Sequence, residues 1–427
     1  MRQTSKAVRR TYYVLTAGTT LAASLIWGIN TIFLLDAGLT NFQAFAANAC
    51  FTAGMVIFEI PTGVVADHWG RRASFLCGTL TLAVTTALYV LLWQLRSGFV
   101  WWALVSALIG LGFTFFSGAT HAWLVDALSA SRFGGHLEGV FSRGQVIAGA
   151  FTLGGTVAGG YLAQLTNLGV PYLVRVAILL GMFILAFITM HDLGFTPTRG
   201  HRPLAEVKKI VNSSVEHGLK VPAVRAIMLA GMFAGGIDIY VYYALQPHLL
   251  NLWGDQQAYG IAGLVAALLA GAQIVGGLLT PRIRSAFKRR TSALLVLGIL
   301  ATVMLTLIGL ISNFWVVIVL IALWGLVGYA SLPIRQAYLN EMIPSQQRAT
   351  ILSFDSLINS AGGIVAQPVL GKSADAWGYQ VSYLLSAAGS ALALPFIARA
   401  RQLNTPADRE LGTPANPKPG SAEEVDA

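Results

Sequence analysis

Long apolar stretches alternate with short polar breaks along nearly the whole chain. Runs of roughly 20 residues, enough to cross a bilayer as a helix, fall near 12–35, 44–66, 73–95, 99–125, 144–166, 171–190, 226–250, 258–280, 291–311, 314–334, 349–371 and 379–398. Backbone in lipid must satisfy its own N–H and C=O groups, so these runs predict twelve helical spans. A β-barrel would instead show alternating segments of about ten residues, and none is present. The expected fold class is an all-α integral membrane protein.

Composition agrees. Of 427 residues, 55% are hydrophobic and 11% charged, with a mean hydropathy of +0.66. A soluble domain is about a quarter charged. The formal charge of +10 could suggest a nucleic-acid partner, but the basic residues argue for topology. With the N-terminus in the cytoplasm, 28 Lys and Arg fall on the inner side except Arg96 and Lys372, which face out, and Arg175, inside span six. That is the positive-inside pattern. It predicts a multi-pass protein of the cell (plasma) membrane with both termini cytoplasmic, the lipid bilayer as partner and no nucleic acid. The basic start Met1 to Arg10 and the run after it read as an uncleaved first span, too long for a signal h-region. Cys50 and Cys77 fall near opposite faces, which predicts no disulfide, and neither has metal-site spacing.

The organisation is two halves. A cytoplasmic tail (1–11) precedes a six-helix N-terminal half (12–190). A polar linker (191–222) follows, in which Leu204, Val207, Val211, Val215 and Leu219 recur at helical spacing and predict a surface helix. The C-terminal half is 223–400. Residues 401–427, rich in Pro, Ala and acids, are expected to be a disordered cytoplasmic tail. A shift of 211 residues lays Gly160, Ala163, Val170, Tyr172 and Leu173 on Gly371, Ala374, Val381, Tyr383 and Leu384. That is a weak repeat of half a twelve-span body.

Between spans two and three stands Gly63-x-x-x-Asp67-x-x-Gly70-Arg71-Arg72. A fixed acid, close-approach glycines and a double arginine in one turn suit an electrostatic latch. The motif resembles the signature loop of the major facilitator superfamily of secondary transporters, and the resemblance covers residues 12 to 398. It implies a fold of two six-helix pseudo-repeat halves around a central cavity. It also implies that Asp67 docks near Arg348 to Ser353 across the halves, and that Arg71 pairs with Asp126 at the end of span four. Gly63, Asp67, Gly70, Arg71, Arg72 and Asp126 would then form a cytoplasmic gate. The second half has only a partial copy, with Gly276 or Gly277 before Thr280, Pro281, Arg282 and Arg284 and no acid. Gly371-x-x-x-Asp375-x-x-Gly378 resembles the motif but faces outward, and reads as a turn.

Span five carries Gly149, Gly154, Gly155, Gly159 and Gly160. Residues 155–160 resemble the drug-antiporter signature G-P-x-x-G-G, with Thr156 in place of proline; glycine-mediated packing is the alternative. The family's usual basic residue on span four falls near Ser106, so a proton mechanism built on it is absent.

Ionisable groups inside spans are costly and point to function. Asp238 lies midway along span seven, which lines the cavity in the family. Burial favours a neutral carboxyl, so a group so placed can take up and return a proton; a structural hydrogen bond is the alternative. Glu59, close before Pro61, is the second candidate, and His121 on span four is a possible relay or a core histidine. Asp36, Arg175 and Asp355 stand nearer helix ends, where snorkelling or capping suffices. Trp93, Trp101, Trp102 and Trp253 suit the interfacial belt. Trp27, Tyr240, Tyr243 and Trp324 lie deeper and suit an aromatic substrate pocket, or ordinary packing.

These readings predict a monomeric secondary transporter working by alternating access on a small-molecule substrate. Its cofactor requirement is none: no nucleotide loop of the G-x-x-x-x-G-K-[ST] type occurs, so an ion gradient, of protons, is expected to drive it. Efflux of a small apolar or amphipathic compound is the leading expectation. Uptake of a sugar or other nutrient is the alternative. A membrane-embedded transferase is the alternative from another class, and the catalytic clusters it needs are not evident.

Overall fold

The computed structural model describes residues 4–116, 118–195, 218–344 and 347–409. Span one is a bent pair of helices, Ser5–Trp27 and Asn30–Asp36, turned by 49°. Spans two and three are Asn41–Trp69 and Arg71–Gln94. Span four is broken into Phe99–Thr114 and Ala119–Ala130. Spans five to ten are Leu137–Leu165, Gly169–Thr189, Pro222–Trp253, Tyr259–Ser285, Arg290–Leu310 and Phe314–Met342. Spans eleven and twelve run through Arg348–Ala391, divided at Gly378 (φ 80°), and continue in Ala393–Gln402. The chain is a multi-pass, twelve-span helical membrane protein.

Local chemistry sets the boundaries. Span two starts with a capping box: Thr40 accepts from the Gln43 N–H while the Gln43 side chain answers the Thr40 N–H. Span seven has Pro222 in its first turn and ends on Gly254 in the left-handed region, the usual asymmetry of helix ends. Spans two and three meet at Gly70 alone, whose φ of 102° suits glycine.

Several helices outrun their apolar stretches. Span one starts at Ser5 rather than 12, so Lys6, Arg9 and Arg10 ride on it; span ten continues to Met342 and carries Arg335 within it. Lys and Arg are good helix formers, so hydropathy marks the lipid-matched part of a helix and not its end. The predicted surface helix falls almost wholly outside the described residues. At the other terminus, residues 403–409 pack on the bundle. Asp408 is fully buried and accepts from the Thr291 N–H and hydroxyl, both at 2.7 Å, capping span nine. Arg290 bonds Glu341 and the Ala407 carbonyl beside it.

The cores show how the halves meet. At the basic end, which holds Asp67 to Arg72, each half has its own core. One gathers Tyr12, Phe75, Trp123 and Met190; the other gathers Ile227, Leu297, Tyr338 and Ile397. At the far end the cores are shared. Leu250 and Ala262 join the N-terminal half's core, and Phe45 of span two joins the C-terminal half's. Span two packs on span eleven, and span five on span eight. Gly160 and Gly263 meet there so closely that a Cβ on Gly160 would lie 2.9 Å from the Gly263 Cα. Large apolar side chains such as Leu104, Ile188, Leu278, Val303 and Val365 are exposed on the flanks, as a lipid-facing surface requires.

Candidate functional site

Three features lie along the axis between the halves: a seal at the far end, cavities at mid-depth, and the charged turn at the basic end.

The seal is polar as well as apolar. The Asp375 carboxylate, at the far end of span eleven, accepts the N–H groups of Asn41 (2.8 Å) and Phe42 (2.9 Å) at the start of span two. The Tyr379 hydroxyl donates to Asn41 Oδ1. Gln246 of span seven donates to the Trp27 carbonyl (2.7 Å) and accepts from the Thr31 N–H (2.9 Å). These bonds use backbone freed by the bend in span one and by the first turn of span two. The sequence motif around Asp375 reads as a turn, and Gly378 does make one. Asp375 itself caps a helix of the other half.

On the basic side of the seal each half holds a cavity. The C-terminal one, about 350 Å³, is lined by Asp238, Tyr242, Trp324, Tyr329, Arg335 and Asn359, among others. Asp238 is exposed to it. The N-terminal one, about 310 Å³, is lined by residues including Tyr12, Trp27, Phe113, His121, Gln145 and Arg175. A small cavity of about 40 Å³ continues it toward the seal, bounded by Asn30, Asn48, Tyr89, Arg175 and Tyr243 among others. Trp27, Phe113 and Arg175 border both. His121 packs among rings, 6.2 Å from Tyr12 and 5.5 Å from Phe141 between centroids.

The structure corrects several sequence readings. Tyr240 is fully buried, its ring tilted against Phe45 with centroids 4.5 Å apart, and hydrogen-bonded to Ser382 and the Leu370 carbonyl. It is an interface residue. Asp238 and Tyr242, four apart, share one flank of span seven, and Tyr240 between them faces away. Glu59 is exposed on span two and is not among the residues lining these cavities. Arg175 does not snorkel: it is 2% exposed, with its guanidinium 5.7 Å from the Phe113 ring centre. Asp355 is no helix-end cap. It is 6% exposed and takes a bidentate pair from Arg335 at 2.8 and 2.6 Å, with Asn359 a weaker donor. Of the belt tryptophans, Trp101 and Trp253 are exposed. Trp102 is buried with its ring N–H on the Ser97 carbonyl, and Trp93 reaches inward to Asp36.

At the basic end Arg71 pairs with Asp67 at 2.6 Å, across the Gly70 turn. This replaces the Arg71–Asp126 pair that the resemblance implies. The two residues are four apart and already adjacent, while Asp126 rides on the separate second piece of span four, its carbonyl against Gly194. Arg72 bonds the Phe187 carbonyl (2.6 Å) and its N–H donates to Asp192 (2.8 Å), just past span six. Asp192 thereby caps span three. Burial pushes its carboxyl above the usual carboxylate range, outweighing the amides and charges of Arg72 and Arg71 that pull the other way. No spacing signal marks Asp192 in the sequence. Gly63 has open space where a side chain would stand.

A sequence profile of the Major Facilitator Superfamily matches residues 12–330 and 228–424. The chain belongs to this superfamily. It is a transporter and not an enzyme. The chain is 25% identical over 388 residues to an uncharacterized MFS-type transporter, YxaM, of Bacillus subtilis (strain 168), covering 88% of this chain and 92% of that one. Its fold is similar to that of the nucleoside transporter NupG, with a TM-score of 0.74 at 12% identity, covering 92% and 98% of the two chains. It is also similar to a bacterial homolog of the human lysosomal transporter Spinster, solved inward-facing and unoccupied. That TM-score is 0.71 at 15% identity, covering 94% and 98%.

Proposed function

We propose that the chain exports a small apolar or amphipathic compound from the cell in exchange for protons, by alternating access. The observation that carries this reading is Asp238. Its carboxyl stands open to a cavity otherwise rich in aromatic and small residues, and the basic group on the same wall, Arg335, is already committed to Asp355.

With the basic end in the cytoplasm, the sealed far end and the open cavities make an inward-open state. In it a charged Asp238 can meet a substrate entering from the cytoplasm. Rocking of the halves about spans two, five, eight and eleven then breaks the Asp375 and Gln246 bonds and opens the far side. The substrate leaves, and Asp238 takes up a proton from outside. The halves then rock back with the carboxyl neutral, which spares carrying its charge through the closed, dry intermediate, and Asp238 releases the proton to the cytoplasm, ready for the next substrate. Asp67, Arg71 and Asp126 would hold the basic end shut in the outward-open state.

Purified protein in liposomes tests this. An imposed proton gradient should drive uphill movement of a fluorescent amphipathic dye, and dye movement should carry protons the other way. Dye flux that ignores the gradient defeats the proposal. A second reading is proton-coupled uptake of a polar nutrient. It is favoured by the hydroxyl and amide groups of Thr16, Thr19, Thr20 and Gln145 in the N-terminal cavity and by the nucleoside transporter among the structural neighbours. The same liposomes separate the two, because uptake runs down the proton gradient and export against it.

A further inference from the structure

Arg175 is a cation in the wrong company for a structural role. It stands well inside span six, 2% exposed. The ion pairs among the described residues join Arg71 to Asp67, Arg290 to Glu341 and Arg335 to Asp355; none includes Arg175. Its surroundings are the Phe113 ring and the phenols of Tyr172, Tyr89 and Tyr243. Its Nε is buried with no hydrogen-bond partner. Uncompensated buried charge is strongly destabilising, and an unmet buried donor adds to that.

A second unmet donor belongs to a residue that borders the same space. Asn48 Oδ1 accepts from Asn30 at 2.9 Å, and Asn30 Oδ1 accepts from the Tyr172 hydroxyl at 3.2 Å. This chain of bonds leaves Asn48 Nδ2 as the free end, and it too is buried without a partner. Asn48 and Arg175 both line the 40 Å³ cavity, and Arg175 also borders the larger N-terminal one. One end of the cavity system therefore presents unmet donors and a positive charge. The larger cavity is lined beyond it by the apolar Leu82, Phe116 and Leu179, among others.

We propose that Arg175 and Asn48 bind the carboxylate of an amphipathic organic monoanion, whose apolar body fills the N-terminal cavity. A carboxylate offers only acceptors and matches the guanidinium fork. One cation in a small recess fits one negative charge, which disfavours phosphate esters and dicarboxylates. Tyr243 reaches this recess from span seven of the other half, so the anion is held where the halves meet. This inference rests on the transporter reading above and names its substrate class.

The test uses full-length protein in lipid nanodiscs, with binding read as thermal stabilisation. The probes are matched pairs: 4-phenylbutyrate, decanoate and salicylate, each against its neutral amide. At least one acid should bind tenfold or more tighter than its amide. That preference should vanish in Arg175→Gln, persist in reduced form in Arg175→Lys, and fall severalfold in Asn48→Ala. Equal binding of every acid and its amide to the parent protein overturns the proposal, as does an undiminished preference in Arg175→Gln. If Arg175→Gln does not fold, the parent comparison and Asn48→Ala decide. Gradient-driven flux is measured separately. Proton-coupled transport of neutral amphipaths without acid preference removes this site and keeps the export reading. Acid binding without coupled flux does the reverse.

Discussion

Asp375 holds the first turn of span two from across the molecule, its carboxylate accepting the Asn41 and Phe42 N–H groups at 2.8 and 2.9 Å. A helix start carries unmet donors and partial positive charge, so this is an N-cap delivered by the opposite half. The bond joins the two halves, so opening the far end would break it. A cap of this kind is worth about 1 kcal/mol, or roughly a fivefold change in a two-state equilibrium. Asp375→Ala should therefore shift the protein toward the far-side-open form by about that factor. A cysteine at Phe51, in a background lacking Cys50 and Cys77, should react correspondingly faster with an impermeant thiol reagent added outside. No change in that rate removes Asp375 from the seal.

The glycine contact between spans five and eight should act as a steric lock. A Cβ at Gly263 would stand 2.5 Å from the Thr156 carbonyl oxygen and 3.0 Å from the Gly160 Cα. Overpacking such a seam costs about 1–3 kcal/mol. Gly263→Leu should keep the far end from closing and lower transport at least tenfold while the protein still folds. Wild-type transport by that variant would show that the seam is not the pivot.

Asp238→Asn should abolish gradient-driven transport but leave substrate exchange and binding, since it removes the proposed proton carrier and keeps the shape of the cavity. Liposome assays with and without an imposed gradient separate these. Active transport that survives the substitution takes Asp238 out of the mechanism.

The Arg335–Asp355 pair predicts a contrast between single and double variants. Removing one partner of a buried ion pair costs about 3–5 kcal/mol, whereas replacing both with apolar groups can be neutral. Arg335→Met should lower the melting temperature sharply, and Arg335→Met with Asp355→Leu should regain most of the loss. Equal destabilisation in the single and double variants would mean that the charges do not act on each other.

The twelve spans were legible because lipid leaves the backbone almost no other choice. Their bends were not. Span one turns at Gly28 and Ile29, where it meets span eight, and nothing within span one announces span eight. Asp238 stood out as an acid alone in an apolar run. Arg175 looked like a residue near a helix end, because sequence distance from an end does not say whether a flank meets lipid or other helices. Asp355 is hidden for a related reason: its partner Arg335 lies on another span, and a lone acid in the sequence does not disclose it. Tyr240 and Tyr243 differ by less than one turn, yet one packs an interface and the other borders a cavity. The Asp67–Arg71 pair is half-exposed and worth under about 1 kcal/mol, so it can readily give way to other partners when the halves move.

The seating of Asp408 on Thr291 fixes residues 403–409 to the body of the protein. These residues pack on spans nine and ten of the C-terminal half, and span nine makes its main contacts within that half. A fluorescent reporter joined after Arg409 would be anchored to one half rather than to the seam between the halves, and should record abundance without jamming the cycle.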